Sequence, residues 1–303
     1  GIKKKNCSQP LTLRLFNNIN QRKKLPDCID WFFGGRIGDV SLKRRVVNCS
    51  MAYSTSNNVI KVDQAKVACK DCNLFQLCLP VGINARELEE LDSIIKRRRP
   101  LKRGEHLFHV GSPFQAIYAV RSGSIRTYAP TEDGHEQVTG FHLPGELLGL
   151  DAIHLKHHPC AAKALETTSI CEIPFDRLEE LSTHLPSLQH QLLTVMSKEI
   201  LHDQSLLMLL GKKSAEERLA ALLLSLSERY QRRGFSPTDF YLSMSRNDIG
   251  NYLGLAVETV SRLFTRFQDD DVLIVQRKHI CIQDLPQLRT IANSKGCKGR
   301  GTG

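Results

Sequence analysis

No stretch of this sequence approaches the roughly 18–20 consecutive apolar residues of a membrane-spanning helix, and none reads as a secretory signal. Enzyme motifs are equally scarce. The chain has eleven histidines but no H-E-x-x-H pair, and it has neither a nucleophile elbow nor a P-loop. Tryptophan occurs once, at Trp31. An excess of positive charge is also missing where it would matter most. The net charge is +10, yet the segment from Met51 to Ser294 holds 28 basic and 29 acidic residues. The surplus sits in residues 1–50 and in the last nine residues, so bulk charge is no argument for nucleic-acid binding, and local placement must carry one. These absences point to a cytoplasmic protein that is not an enzyme. Its ten cysteines, in a reducing setting, read as ligands or core residues rather than disulfides.

What the chain does have is thiols close together. Cys69, Cys72 and Cys78 lie in a C-x2-C-x5-C spacing within ten residues. Thiolates in such a cluster suit a soft metal or an iron–sulfur group. Zinc ribbons offer a second C-x2-C pair, which is lacking here, whereas Cys160, Cys171 and Cys281 stand as single distant candidates for a fourth ligand. Spacing alone leaves three readings open: an iron–sulfur cluster, a zinc site, or a thiol redox switch.

Residues 1–50 differ from the rest, with Lys3-Lys4-Lys5, three isolated cysteines (Cys7, Cys28, Cys49) and no sustained periodicity. The first methionine is Met51, and the reading drawn is that the native chain starts there, leaving 1–50 a non-native extension. The alternative is a disordered basic arm. Residues 51–96 form an arm with the cysteine cluster and a short helix, opened by a capping-box pattern at Asn84-Ala85-Arg86-Glu87. Gly111, Gly123, Gly134 and Gly145 then recur between short apolar runs at 106–110, 116–120, 125–128 and 137–143. Such spacing predicts an antiparallel jelly roll over 97–185, with a further strand at 168–173 carrying Cys171.

Pro186 permits a long helix over 187–210 within a segment 186–212. Its apolar stripe runs Leu193, Met196, Ile200, Leu207 and Leu210, and Asp203 takes the missing place. A stripe of this length is expected to pair with a second copy, where Asp203 would bring like charges together. The plainer reading is packing against the chain's own β-domain. Residues 291–303 read as a basic disordered tail, and a C-terminal unit over 213–290 reads as a winged helix-turn-helix with a polar loop at 235–240 after its first helix. In it Ser245–Asp248 resembles a capping box, Gly254 supplies a turn, and a second helix opens at Ala256-Val257-Glu258. Glu258, Ser261 and Arg262 share one face, with chemistries suited to base edges. A surface ion pair between Glu258 and Arg262 is the plainer reading. A hairpin over 272–275 and 279–282 reads as the wing.

The stretch from Cys69 to Ile282 resembles the fumarate and nitrate reduction regulators (FNR, called ANR in pseudomonads) of the cyclic-AMP receptor superfamily. The cysteine spacing carries the likeness, with Thr139-Gly140-Phe141-His142-Leu143, Cys171-Glu172-Ile173-Pro174-Phe175, Ala215-Glu216-Glu217-Arg218-Leu219-Ala220, Asp248–Leu255 and Val257-Glu258-Thr259-Val260-Ser261-Arg262. Asn73 departs from the serine found beside the second cysteine of the best-known member. The resemblance implies an α+β fold: a β-roll sensor, a dimerisation helix and a winged helix-turn-helix. It also implies an oxygen-responsive regulator whose [4Fe–4S] cluster is held by Cys69, Cys72, Cys78 and Cys171. Dimerisation would run through Met196, Ile200, Asp203 and Leu207, and Glu258, Ser261 and Arg262 would read TTGAT-type half-sites in double-stranded DNA. The turn over 130–136 would touch RNA polymerase. A zinc- or thiol-regulated DNA-binding factor is the alternative. Cyclic-nucleotide sensing is disfavoured: Pro144-Gly145-Glu146-Leu147 resembles the start of a phosphate cassette, but no arginine lies between Asp151 and Ile170 to neutralise a phosphate.

Overall fold

The computed structural model describes residues 68–74, 77–79 and 82–293. The expectations for the extension over 1–50, the start at Met51 and the basic tail beyond residue 293 lie outside the described residues. A single 3-10 turn at Cys69–Asp71 precedes helix α1, Ala85–Ile94. The α1 capping box forms fully: Glu87 N–H donates to Asn84 Oδ1, and Asn84 N–H donates to Glu87 Oε2. Leu88 and Leu91 are buried, with Ile94 and Ile95 partly buried against the same core.

The β-roll follows in chain order: β1 (Lys96–Arg97), β2 (His106–Phe108), β3 (Ala116–Ser122), β4 (Ile125–Pro130), β5 (Glu136–His142), β6 (Leu147–Leu148), the four-residue helix α2 (Ala152–Leu155), β7 (Ala161–Ala164) and β8 (Ser169–Pro174). The strands form two antiparallel four-stranded sheets in the orders β1-β8-β3-β6 and β2-β7-β4-β5. Three strands of the roll escaped the sequence reading, β1, β6 and β7, of which β6 is a two-residue run paired with β3. β7 is Ala-Ala-Lys-Ala, a helix-favouring run made extended by pairing with β2 on one side and β4 on the other. β1 is two charged residues that straddle the boundary expected at 96/97 and exist only because β8 offers a partner.

Helix α3 (Phe175–His184) leads to the long α4 (Pro186–Lys212), with Pro186 in its first turn. Two faces of α4 have separate fates. Leu188, Leu192 and Val195 pack with α1 and α3, and Leu206 and Leu209 pack with the C-terminal unit. The predicted stripe stays largely uncovered: Leu193 is 60 % exposed, Ile200 57 % and Leu207 71 %, while Met196 and Leu210 are half-buried. α4 thus packs on its own chain through a different face from the stripe.

The C-terminal unit runs α5 (Ala215–Arg232), β9 (Asp239–Tyr241), α6 (Arg246–Leu253), α7 (Val257–Asp269), β10 (Leu273–Gln276), β11 (His279–Ile282) and α8 (Leu285–Asn293). β9, in the region expected to be a polar loop, adds a third strand to the wing in the order β10-β11-β9. α8 carries the fold past residue 290, because Ala292 is buried and Lys213 Nζ donates to its carbonyl at 2.9 Å.

Roll and C-terminal unit share one hydrophobic core, in which Val138, Phe141 and Leu143 meet Leu219, Leu223 and Tyr252. Beside it Glu146 accepts from Arg229 (2.5 Å) and Arg233 (2.6 Å). Burial raises the Glu146 carboxyl, but Arg229 and then Arg233 outweigh it and hold the group down at about 2. Burial, with Glu146 and Asp203 nearby, pushes the Glu199 carboxyl of α4 up to about 7. A carboxyl raised above its unfolded value stabilises the fold fully at acid pH and loses that contribution as the pH rises through its folded value. Glu199→Gln is therefore expected to be more stable than wild type at pH 8 by about 2 kcal/mol. The gap closes as the pH falls to the ordinary carboxylate range, and urea unfolding at two pH values measures it.

Candidate metal centre and nucleic-acid interface

The four cysteines singled out from the sequence come together. Cys69, Cys72 and Cys78 from the arm and Cys171 from β8 line one cavity. Its remaining walls are mostly apolar, including Leu79, Leu91, Ile95, Val120 and Ile173, with Arg121 at its edge. β8 is the inner strand that places Cys171, with Arg97 of β1 opposite it on one side and Ala119 of β3 on the other. Cys160 is elsewhere: it is buried in another part of the roll core and its Sγ donates to Asp151 Oδ2 at 3.3 Å. Cys281 is buried in the wing.

The arm is anchored by residues that the sequence did not advertise. Asp92 of α1 accepts from the backbone N–H of Cys69 at 2.9 Å and from the guanidinium of Arg97. Burial pushes its carboxyl up, yet those hydrogen bonds and Arg97 hold it below the ordinary carboxylate range. One carboxylate therefore ties arm, helix and β1 together. No pattern in the spacing marks Asp92, because the contact is made between three separate segments.

Burial raises the thiols of Cys69 and Cys171 and pushes that of Cys78 up to about 12. Left alone, these sulfurs stay protonated, and a bound cation that favours thiolate would have to displace the protons. The donor set is all sulfur among mostly apolar walls, which fits a thiophilic group. Among the described residues no three His, Cys, Asp or Glu side chains converge closely enough to grip one metal ion. Thiols spread around a void suit a group of several atoms better than a single tetrahedral ion.

The cavity is also connected to the long helix. Leu79 and Leu91 belong to the same core as Leu185 and Leu188 at the root of α4. Ser187 Oγ donates to Glu87 Oε2 of α1 at 2.8 Å. Of the stripe residues, Met196 is half-buried while Ile200, Asp203 and Leu207 are exposed. From Leu193 onward they fall at alternating three- and four-residue steps, and Asp203 takes one of those seam positions.

In the C-terminal unit, the α6 capping box forms through Ser245 and Asp248. Gly254, with φ 65°, ends α6 in the left-handed conformation that glycine adopts freely. Leu253, Val260 and Phe264 are buried between the two helices. Glu258 and Arg262 are exposed, and Ser261 is half-buried beside them. Arg262 Nε donates to the backbone oxygen of Glu258 (3.4 Å) rather than to its carboxylate, leaving both charged ends presented outward. Arg218 was legible only as part of a resemblance run. It donates to Leu210 O, Lys213 O and Leu253 O, so it binds the C-terminal end of α4, the α4–α5 link and the end of α6 at once.

Two family models match the chain: the cyclic nucleotide-binding domain over residues 98–184 and the Crp-like helix-turn-helix domain over 217–291. The transcriptional activator protein Anr of Pseudomonas protegens is 55 % identical over 224 residues, covering 74 % of this chain and 92 % of that protein. The fumarate and nitrate reduction regulatory protein of Escherichia coli K12 is 51 % identical over 226 residues, covering 75 % of this chain and 90 % of its own length. Among solved structures, FixK2 from Bradyrhizobium japonicum superposes with a TM-score of 0.60 at 29 % identity, covering 65 % of this chain and 97 % of FixK2. Among the described residues no helix is long and apolar enough to cross a membrane.

One glycine sets the geometry of the helix pair. A Cβ on Gly250 would stand 2.6 Å from the carbonyl oxygen of Leu255, whose own N–H donates to Gly250 O at 2.8 Å. Gly250→Ala forces the turn apart, and overpacking of that kind costs about 1–3 kcal/mol. Thermal unfolding should show the loss, accompanied by weaker DNA binding.

Proposed function

The chain belongs to the FNR/Anr family of DNA-binding transcriptional activators, and on that footing we propose that it senses oxygen through a [4Fe–4S] cluster held by Cys69, Cys72, Cys78 and Cys171. In this reading the cluster-loaded chain dimerises through α4 and binds palindromic TTGAT-type sites in double-stranded DNA. The observation that carries it is the meeting of the four thiols on one cavity whose walls continue into the root of α4. When bound, the cluster supplies an oxygen-labile bridge between the arm and β8. The chain's own residues do the rest. Cys171 holds the arm against the sheet, Asp92 fixes the turn that presents Cys69, and Leu79 and Leu91 press on Leu188.

Dimerisation is held near balance. Burying an exposed Leu or Ile side chain contributes roughly 1.5–3 kcal/mol. Two facing Asp203 carboxylates oppose it by up to about 4 kcal/mol at close approach near a protein surface. Summed over both helices the apolar gain exceeds that repulsion, but association itself costs about 4–15 kcal/mol of lost freedom, and with all three contributions counted a modest change at the root of α4 decides the outcome. A dimer places two α7 helices about 34 Å apart in successive major grooves. Glu258, Ser261 and Arg262 there reach base edges, with each good bidentate contact giving roughly 1–3 kcal/mol of discrimination. RNA polymerase is the proposed partner of the turn between β4 and β5, and the cytoplasm, where the DNA is, the place of action.

Anaerobic purification tests the metal centre. A brown protein with roughly four iron and four sulfide per chain is expected, lost in Cys171→Ser and kept in Cys160→Ser. A colourless protein carrying one zinc would falsify the cluster. The balance on α4 is tested separately. Asp203→Ala should sediment as a dimer and bind its operator in air, and an aerobically monomeric variant refutes the role given to Asp203.

A further inference from the structure

The recognition helix is not suspended from the short α4–α5 link alone. α6, its partner in the pair, is fastened to the β-roll by side chains that neither the metal centre nor the reading face uses. Arg126 of β4 donates through Nη1 to Asp248 Oδ1 at 2.9 Å and through Nη2 to Glu136 Oε2 at 2.7 Å. Both Arg126 and Asp248 side chains are only 14 % exposed. Asp248 uses its other oxygen for the cap, accepting from Ser245 N–H and Oγ–H. One carboxylate therefore starts α6 and docks it.

The second fastening is made by Asn251. Its Oδ1 accepts from Val138 N–H at 2.5 Å, and its Nδ2 donates to Glu136 O at 2.5 Å. β5 is an edge strand, and this amide satisfies its open backbone groups as a neighbouring strand would. Gln137 Nε2 donates to the backbone oxygen of Asn251 at 2.7 Å, and the rings of Phe141 and Tyr252 lie 5.1 Å apart. Glu258 and Arg262 stay exposed, so the fastening leaves the reading face uncovered.

We propose that Arg126 and Asn251 are positioning residues for DNA binding, which latch α6 to the edge of the β-roll and so fix the orientation of α7 before DNA arrives. The shared core and the Glu146 pairs hold α5 to the roll, but a helix pair left to shift on that footing must be ordered at the moment of binding, twice over in a dimer on two half-sites, and that ordering is subtracted from affinity. The latch does the ordering in advance. It touches no DNA itself. The inference rests on the reading of α7 given above.

The test uses the full chain, purified anaerobically, and a fluorescent duplex with two inverted TTGAT half-sites, against a scrambled duplex. Asn251→Ala and Arg126→Met should each weaken binding about tenfold, whereas Arg126→Lys keeps most of the affinity. The slope of log affinity against log salt should stay at the wild-type value, because no phosphate contact is removed. Hydrogen exchange should show Val138 losing protection in Asn251→Ala while the core of α7 keeps its own. Dimer mass and visible absorption should remain those of wild type. Unchanged or tighter binding in the variants, with Val138 freed, overturns the latch and leaves the reading of α7 standing. A shallower salt slope overturns it too, since the residues would then be phosphate contacts. A wild-type chain that does not distinguish the two duplexes sinks the reading of α7 and the latch with it.

Discussion

Hydrogen bonds to two neighbours hold β8 inside its sheet, with Arg97 opposite Cys171 on one side and Ala119 opposite it on the other. That register decides where the fourth thiol stands. Three cysteines on an arm can be brought together by local turns, but a strand paired on both sides cannot slide without turning its side chains to the other face. The arm must therefore come to Cys171. Asp92 makes the approach possible by binding Cys69 and Arg97 together, and burial against the apolar walls raises the thiols of Cys69, Cys78 and Cys171.

The same core that receives the arm receives the root of α4, so the thiol-lined cavity and the long helix are mechanically adjacent. Adjacency is not coupling by itself; the requirement is an element with two arrangements of similar energy. In the proposed dimer that element is the uncovered face of α4, apolar but for Asp203. At the other end of the helix, Arg218 gathers the ends of α4 and α6, and the paired charges of Glu146, Arg229 and Arg233 fasten α5 to the roll. Glu146 lies in the run that resembles the start of a phosphate cassette, and here its carboxylate is engaged by arginines of the chain itself.

Much of the fold was legible in the sequence. Asn84 with Glu87, and Ser245 with Asp248, announced two helix starts, because a capping box is a local hydrogen-bond exchange written within four residues. The glycine-spaced strands and the helix–Gly–helix run behaved likewise. What was missed depends on partners distant in sequence. Ala161–Ala164 has no strand signal of its own, β1 is two cations, and β9 lay within an apparent polar loop. Each is extended only because a neighbouring strand offers it a ladder.

The sequence by itself determined the chemistry: which residues carry thiols, which helix bears an apolar stripe broken by Asp203, and which three side chains share a face on α7. Periodicity and spacing are local properties, and they survive without a fold. Spacing left Cys160, Cys171 and Cys281 equivalent and only resemblance favoured Cys171; tertiary structure decided which of them lines the cavity with the arm, because they differ in the strand or loop that places them. It also decided that α4 packs on its own chain through a face other than its stripe. That choice arises from contacts summed over whole elements, which no window of sequence contains.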